Sequence, residues 1–307
     1  MIVSDLSQEK NAMAGVVAFG FFDAIHIGHQ AVIEKAIELA EQYGVPSSVF
    51  TFENNIYPLI GIDKEPIYSF SERLHFIEKT GVKNVFYMNA DEDFLSMSPD
   101  RFLDYLSEHL SIVGISCGSD YTFGKDGLGT PLDLIDRFGG IFSVLPKWMT
   151  EVPPDSFSEV ISSEAVKHHL SKGNLGAVRA HLNRHFSIIR PVLEGRKDGS
   201  RIGFPTINQS LGTLPLKRGV YFTNVVLRGA RFPSLTNVGA HPTFGDRGEN
   251  LETFILDFYG DLYDRVVEVE FLDYHREIKR FDSEASLIKA IDEDVDARMK
   301  YKEVTFF

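Results

Sequence analysis

Four short stretches concentrate side chains that handle phosphate, protons and planar rings. Phe19–His29 (FGFFDAIHIGH) leaves an apolar run and enters a helical pattern. His26 and His29 are three apart, so one helical turn sets both imidazoles on one face. Gly28 between them lets a ligand approach the backbone closely. The free N–H groups of a first helical turn with two imidazoles make a phosphate site, and such a pair could stabilise charge developing on a transferring nucleotide. By spacing alone, H-x-x-H reads equally as chance or as part of a metal site. Gly199–Asn208 (GSRIGFPTIN) joins a permissive backbone at Gly203 to the fixed φ of Pro205. Thr206 and Asn208 follow at i, i+2 and share one face of a strand. A hydroxyl beside an amide oxygen suits a hard cation such as Mg²⁺ on phosphates, although a turn entering a strand uses the same residues. Glu252 continues a strand face with Phe254, Leu256 and Phe258. A carboxylate there is costly unless it has a role, such as taking up a proton; the exposed end of a strand is the other reading. Gly118–Gly124 (GSDYTFG) offers Tyr121 and Phe123 as stacking faces, or as core.

These stretches need elements to position them. Gly15–Phe22, Ser47–Phe52, Val85–Met88, Ile112–Ser116 and Ile141–Leu145 read as strands. Between them, Gln30–Tyr43, a segment capped by Ser71 and one opened by Ser98-Pro99 read as helices. Strands alternating with helices imply an α/β unit, a mostly parallel sheet covered on both faces. Residues 162–172 and 174–182 read as two helices that close this unit or link it to the next. Beyond them, Phe186–Glu194, Val220–Leu227, Leu251–Phe258 and Val266–Leu272 are strand-like, and Ser283–Lys300 is helical. That pattern predicts a small β-barrel with a C-terminal helix.

The chain has 307 residues and a formal charge of −13, long enough for two domains. Residues 1–180 carry 13 Lys+Arg against 25 Asp+Glu, and residues 181–307 carry 18 against 19, so the two halves differ in charge as well as in pattern. The acidic balance argues against a nucleic-acid coat. One cysteine, Cys117, excludes an internal disulfide and fits a reducing cytoplasm. The longest apolar run is Ala14–Phe22, far below the ~20 residues of a membrane span. The N-terminal MIVSDLSQEK does not read as a signal peptide.

The H-x-G-H within the first stretch resembles the signature of nucleotidylyltransferases, and the longer F-x-F-D-x-x-H-x-G-H resembles their FAD synthetase branch. Gly118–Gly124 is similar to that branch's G-x-D-F/Y-x-F-G segment. The G-F-P-T-x-N of Gly203–Asn208 resembles riboflavin kinases. So do Gly219-Val220-Tyr221, Asn237-Val238-Gly239 with Pro242-Thr243-Phe244, Leu251-Glu252-Thr253 with Asp257, Asp261-Leu262-Tyr263, and Arg276 to Ser283. Together these resemble the two-domain bacterial riboflavin kinase/FMN adenylyltransferase family. The resemblance implies a Rossmann-like nucleotidylyltransferase domain over residues 1–182 and a riboflavin kinase domain over 183–307. It implies ATP and Mg²⁺, with riboflavin, FMN and FAD as substrates and products, and no nucleic-acid or membrane partner. Glu252 becomes the base for the ribityl hydroxyl, and His26 and His29 the adenylyl-transfer pair. ATP contacts fall to Gly20, Asp23, Gly28, Ser162, Ser163, Gly203, Thr206 and Asn208, with Mg²⁺ at Thr206 and Asn208. Flavin contacts fall to Asp120, Tyr121, Phe123 and Arg276.

The first half departs from the family pattern. Where T-F-x-P-H-P is usual, the chain reads Thr51-Phe52-Glu53-Asn54-Asn55-Ile56, so Asn55 stands in place of a histidine. Where I-S-S-T-x-x-R is usual, Glu164 replaces the threonine and Lys167 the arginine; Ala24 replaces a glycine. Asparagine hydrogen-bonds but carries no positive charge, and lysine lacks the bidentate fork. Three readings follow: a bifunctional enzyme, a kinase with a silent N-terminal scaffold, and a flavin- or nucleotide-binding regulator.

Overall fold

A computed structural model describes residues 1–152, 157–195, 198–239 and 250–303. The chain divides into two compact units, Met1–Glu151 with Ser158–Ser163, and Val152–Phe157 with Glu164–Phe307.

The first unit runs β1 (Ile2–Asp5), β2 (Ala12–Phe19), α1 (Ile27–Tyr43), β3 (Ser47–Phe52), α2 (Phe70–Glu78), β4 (Asn84–Met88), α3 (Glu92–Leu95), α4 (Pro99–His109), β5 (Leu110–Gly118), α5 (Pro131–Phe138) and β6 (Ile141–Leu145). A short two-stranded pair, β7 (Met149–Val152) and β8 (Phe157–Val160), follows. The main sheet has the order β1-β4-β3-β2-β5-β6, and every neighbouring pair is parallel. The chain adds β3 and β4 on one side of β2 and then β5 and β6 on the other, so the order reverses between β2 and β5. In open α/β sheets ligands bind outside the carboxyl ends of the strands at such a reversal. Phe19, Phe50, Phe86, Phe94, Phe102 and Leu106 form the heart of one core cluster.

Helix starts decide what the loops can do. Helix α1 begins three residues before the expected Gln30, because His26 caps it. The cap of α2 is Ser69 rather than the expected Ser71. Glu72 at the third helical position reaches back to the Ser69 amide (3.0 Å) and hydroxyl (2.9 Å), closing a capping box. Helix α4 starts as expected, with Ser98 as cap and Pro99 at its first turn.

The second unit opens with α6 (Ser163–Lys172), whose first residue belongs to the first unit, and α7 (Leu175–Leu182). Compactness groups residues 164–182 with the barrel, where the Lys217 amide donates to the Leu170 carbonyl at 3.0 Å. Then come β9 (Phe186–Pro191), α8 (Asp198–Arg201), β10 (Thr206–Ser210), β11 (Gly219–Leu227), β12 (Ala230–Gly239), β13 (Asn250–Ile255), β14 (Val266–Arg276) and α9 (Glu284–Lys300). The sheet is antiparallel, in the order β10-β13-β12-β11-β14-β9. Its two edges meet. The Leu193 amide donates to the Asn208 carbonyl at 2.8 Å, and the Gln209 side chain donates to the Arg190 carbonyl at 2.8 Å. The sheet therefore curls into the expected small barrel, with α9 after it.

Alternation gives the barrel two faces. Thr223, Ser234, Thr236 and Thr253 are fully buried and share hydroxyl hydrogen bonds of 2.8–2.9 Å. The opposite face carries Val220, Phe222 and Leu235, packed with Val295, Ala297 and Tyr301. Arg298 fixes α9 there. Its guanidinium donates to the Thr223 carbonyl (3.1 and 3.2 Å) and to the Asn224 amide oxygen (2.6 Å). Pro242-Thr243-Phe244, part of the family resemblance, lies outside the described residues.

Candidate functional sites at the sheet reversal and on the barrel wall

In the first unit, the reversal brings two of the sequence-predicted stretches to one edge of the sheet. Strand β2 feeds residues 20–26 into α1, and its neighbour β5 feeds Gly118–Gly124; Ala18 pairs with Ser116. The Phe19 and Tyr121 rings lie 5.9 Å apart.

Residues 20–26 hold an unusual backbone. Phe22 (φ 55°) and Ile25 (φ 47°) are both left-handed and both buried. Non-glycine residues rarely adopt this region, and each such residue costs about 1–3 kcal/mol unless its surroundings hold it. Here they do. The Asp23 carboxylate is buried and accepts from the amides of Ile67 (2.7 Å) and Tyr68 (3.2 Å). Gln30 donates to the Ile25 carbonyl at 2.8 Å. Arg73, 1% exposed, donates to the Phe21 carbonyl (2.8 Å), the Thr51 hydroxyl (3.0 Å), and the carbonyls of Phe52 (2.6 Å) and Glu53 (3.2 Å). One guanidinium thus clips the loop after β2 to the end of β3. Burial pushes Arg73 down to about 10, offset by Asp23 and Tyr57, so it stays charged at neutral pH.

The histidines emerge from this frame. His26 is extended (φ −71°, ψ 171°), and its Nδ1 accepts from the His29 amide at 3.2 Å. That bond requires an unprotonated Nδ1, which puts the proton of neutral His26 on Nε2. The two rings stack at 3.6 Å and 18°. A Cβ on Gly28 would come within 3.3 Å of the His26 ring, so the glycine makes room for the capping imidazole. His29 is held well below the usual histidine value, by burial first, then by His26 and then by Lys64. Its Nδ1 is buried with no hydrogen-bond partner among the described residues. The α1 amides of Ile27 and Gly28 lie in the first turn and have no intrahelical partner. The site therefore offers two backbone donors and a neutral histidine pair rather than two imidazolium cations.

Other expected residues fall into place around it. Gly20 leaves room for the Phe22 ring, which a Cβ would meet at 2.9 Å. Tyr121 is half-buried beside Phe19, and burial raises its phenol. Asp120 is exposed and pairs with Lys147 at 3.2 Å. Phe123 is 6% exposed and packs between Phe102 (5.0 Å) and Tyr121 (6.0 Å), a buried ring behind Tyr121. Ser163 is buried at the start of α6 and Ser162 half-buried before it. Asn55 is occupied by its own loop: its Nδ2 donates to the Lys64 carbonyl at 2.9 Å, and its Oδ1 accepts from the Tyr57 amide at 3.1 Å.

In the second unit, register assembles the other site. Glu252 lies opposite Asn208 on one side and Asn237 on the other. The next row sets Thr206 opposite Phe254, and Phe254 opposite Leu235. Thr206, Asn208 and Glu252 thus share the face expected from their spacing, and all three are half-buried. The side chains of Thr206 and Asn208 make no hydrogen bond among the described residues. Two neutral oxygen donors fit a hard cation already carried on phosphates. The preceding turn folds over this row. The Phe204 amide donates to the Gly199 carbonyl at 2.8 Å, Gly203 takes a left-handed φ of 93°, and the Phe204 ring meets Phe254 edge-on at 5.3 Å. Arg276 is committed elsewhere: Asp294 of α9 accepts from it at 2.8 and 2.6 Å, and the same carboxylate lies 3.0 Å from His275. Its guanidinium is a latch on α9, so a flavin contact there would need the pair to share or break.

Sequence reasoning missed Arg73 and Asp294. Arg73 had a signal, since it sits at i with Phe76 and Ile77 at i+3 and i+4, an arginine on the buried stripe of a helix.

A parallel sheet with a histidine-capped helix at its reversal, joined to a six-stranded barrel with oxygen donors and a carboxylate in one row, defines a nucleotide-handling protein of two units. A family model for FAD synthetase matches residues 8–160, and one for riboflavin kinase matches residues 182–302. The chain is 32% identical over 287 residues to a bifunctional riboflavin kinase/FMN adenylyltransferase of Pseudomonas fluorescens, covering 92% of this chain and 91% of that one. It is 29% identical over 305 residues to that of Bacillus subtilis, covering 96% and 95%. The chain belongs to the bifunctional riboflavin kinase/FMN adenylyltransferase family. A crystal structure from Streptococcus pneumoniae, described as a macrolide-efflux protein, superposes with a TM-score of 0.79 at 25% identity, over 98% of this chain and 100% of that one. Efflux is said of that protein; among the described residues here, no helix is long and apolar enough to cross a membrane.

Proposed function

We propose that the barrel unit phosphorylates riboflavin to FMN with Mg–ATP, and that the parallel-sheet unit transfers AMP from ATP to FMN, yielding FAD and pyrophosphate. These activities are assigned to residues 183–307 and 1–182. The reading rests on the row Asn208–Glu252 with Thr206 beside it, which sets a proton acceptor next to oxygen donors suited to a cation on phosphate. Glu252 takes the proton of the ribityl hydroxyl as that oxygen attacks the γ-phosphorus and ADP leaves. Thr206 and Asn208 hold the Mg²⁺, which neutralises phosphate charge when bound. In the other unit an FMN phosphate oxygen attacks the α-phosphorus and pyrophosphate leaves. The Ile27 and Gly28 amides and the Nε2–H of His26 are the donors for the phosphates. Tyr121 and Asp120 are the flavin-side groups. The cytoplasm is the compartment this reading favours, its single cysteine, Cys117, being free.

The test resolves flavins chromatographically after incubation with Mg–ATP and either riboflavin or FMN. FMN from the first and FAD from the second are expected; neither product would overturn the proposal. A second reading, a kinase with a silent N-terminal unit, draws on Asn55, which its own loop engages at both ends of the amide. FMN without FAD would select it.

A further inference from the structure

The cross-strand row that holds Glu252 extends past it. Pairing runs from Asn208 on β10 through Glu252 on β13 and Asn237 on β12 to Val220 on β11 and Arg276 on β14. Residues directly opposite each other in a sheet share a face, with Cβ atoms about 5 Å apart. This face is the one on which α9 packs, because Val220 belongs to the cluster that Val295, Ala297 and Tyr301 pack against. The row therefore leads from the oxygen donors on β10 to an apolar surface beneath the last helix.

The neighbours of Glu252 on that face differ on its two sides. Toward β10 they are Asn208 opposite, with Thr206 and Ser210 on the diagonals. Toward β12 they are Asn237 opposite, with Leu235 and Gly239 on the diagonals. Along β13 itself they are Phe254, and Asn250 at the exposed start of the strand. Asn237 is thus the one polar side chain that β12 sets beside Glu252, on the side away from Thr206 and Asn208. It is half-buried, while Thr236 and Val238 on either side of it are fully buried on the other face. Its amide offers both a donor and an acceptor, so it can meet a hydroxyl in either sense.

A ribityl chain carries hydroxyls on neighbouring carbons, and only the terminal one is phosphorylated. Glu252 takes the proton of that one. A group one strand further on, away from the phosphate, meets the hydroxyl next to it. We propose that Asn237 binds this neighbouring hydroxyl and is the residue by which the barrel selects a polyol chain over a simple alcohol. The proposal deepens the kinase reading above and rests on it. Holding the second hydroxyl also stops rotation about the terminal carbon–carbon bond, which points the first at Glu252. A substrate without that hydroxyl leaves the half-buried Asn237 amide unsatisfied, and a site built to hydrogen-bond a hydroxyl rejects such an analogue.

The test measures phosphorylation of riboflavin and of 4′-deoxyriboflavin, which lacks only the hydroxyl next to the reacting one, by the full-length protein. The wild type should prefer riboflavin by about tenfold or more in kcat/KM. Asn237→Leu, close in size, should treat the two compounds alike to within about twofold, because its loss falls on riboflavin alone. Asn237→Ser keeps a hydroxyl at the position and should keep part of the preference. A role in packing alone would lower both rates together and leave the preference intact. That result, or a wild type indifferent to the missing hydroxyl, would overturn the inference. If the wild type forms no FMN, the kinase reading fails, and Asn237 is then judged by quenching of flavin fluorescence with the two compounds in the presence of Mg–ADP. An equal loss of affinity for both in Asn237→Leu, or none for either, would again overturn it.

Discussion

His29 carries a pH consequence. Its folded value lies well below that of the unfolded chain, chiefly through burial. Below about pH 6.5 the unfolded chain binds a proton that the folded one refuses, so stability falls as pH drops from there toward the folded value. Thermal midpoints between pH 7.5 and 5 should decline for the wild type and decline less for His29→Asn; parallel curves would refute this. At this scale the sequence was legible where chemistry is local. The spacing of His26 and His29 and the shared face of Thr206, Asn208 and Glu252 follow from helix and strand periods alone. It was opaque where a side chain works across the fold. Arg73 joins three residues 20–22 positions away with one 52 away, and no local pattern announces those acceptors. Phe123 reads in sequence as a stacking face or as core, because alternation cannot say which side of a loop is core.

Among elements, the last helix illustrates how a barrel this small is finished. Arg298 is 5% exposed, and it is the donor for both the Thr223 carbonyl and the Asn224 amide oxygen. Arg298→Ala would leave those buried acceptors unpaired and should cost about 3 kcal/mol, read as a lower urea midpoint; a loss under about 1 kcal/mol would mean water replaces the arginine. The helix itself was readable from its apolar spacing and its Ser283 cap. Strand β1 was not, because it is a four-residue edge with Ile2 67% exposed and no alternation to detect. Strand β12 was hidden by Pro233 and by polar residues whose hydroxyls pair only inside the closed barrel.

For the molecule as a whole, two sites on two compact units predict separable losses. Glu252→Gln should lower FMN formation at least a hundredfold and leave FAD formation from FMN unchanged. His29→Ala should do the reverse. Loss of both products in either variant would contradict independent sites. The charge asymmetry of the halves follows the division into two units, the acidic half being the one with the histidine-capped helix.

The closing bridge of the barrel turns one backbone amide into a gauge. The Leu193 N–H is bound by the carbonyl of Asn208, the residue proposed to hold Mg²⁺ with Thr206. Whatever steadies Asn208 also steadies the seam, and whatever loosens the seam releases Asn208. Amide hydrogen exchange at Leu193 should therefore slow when Mg–ADP is added and speed up in Thr206→Ala. An exchange rate indifferent to both would mean that the barrel stays shut whether or not nucleotide is bound.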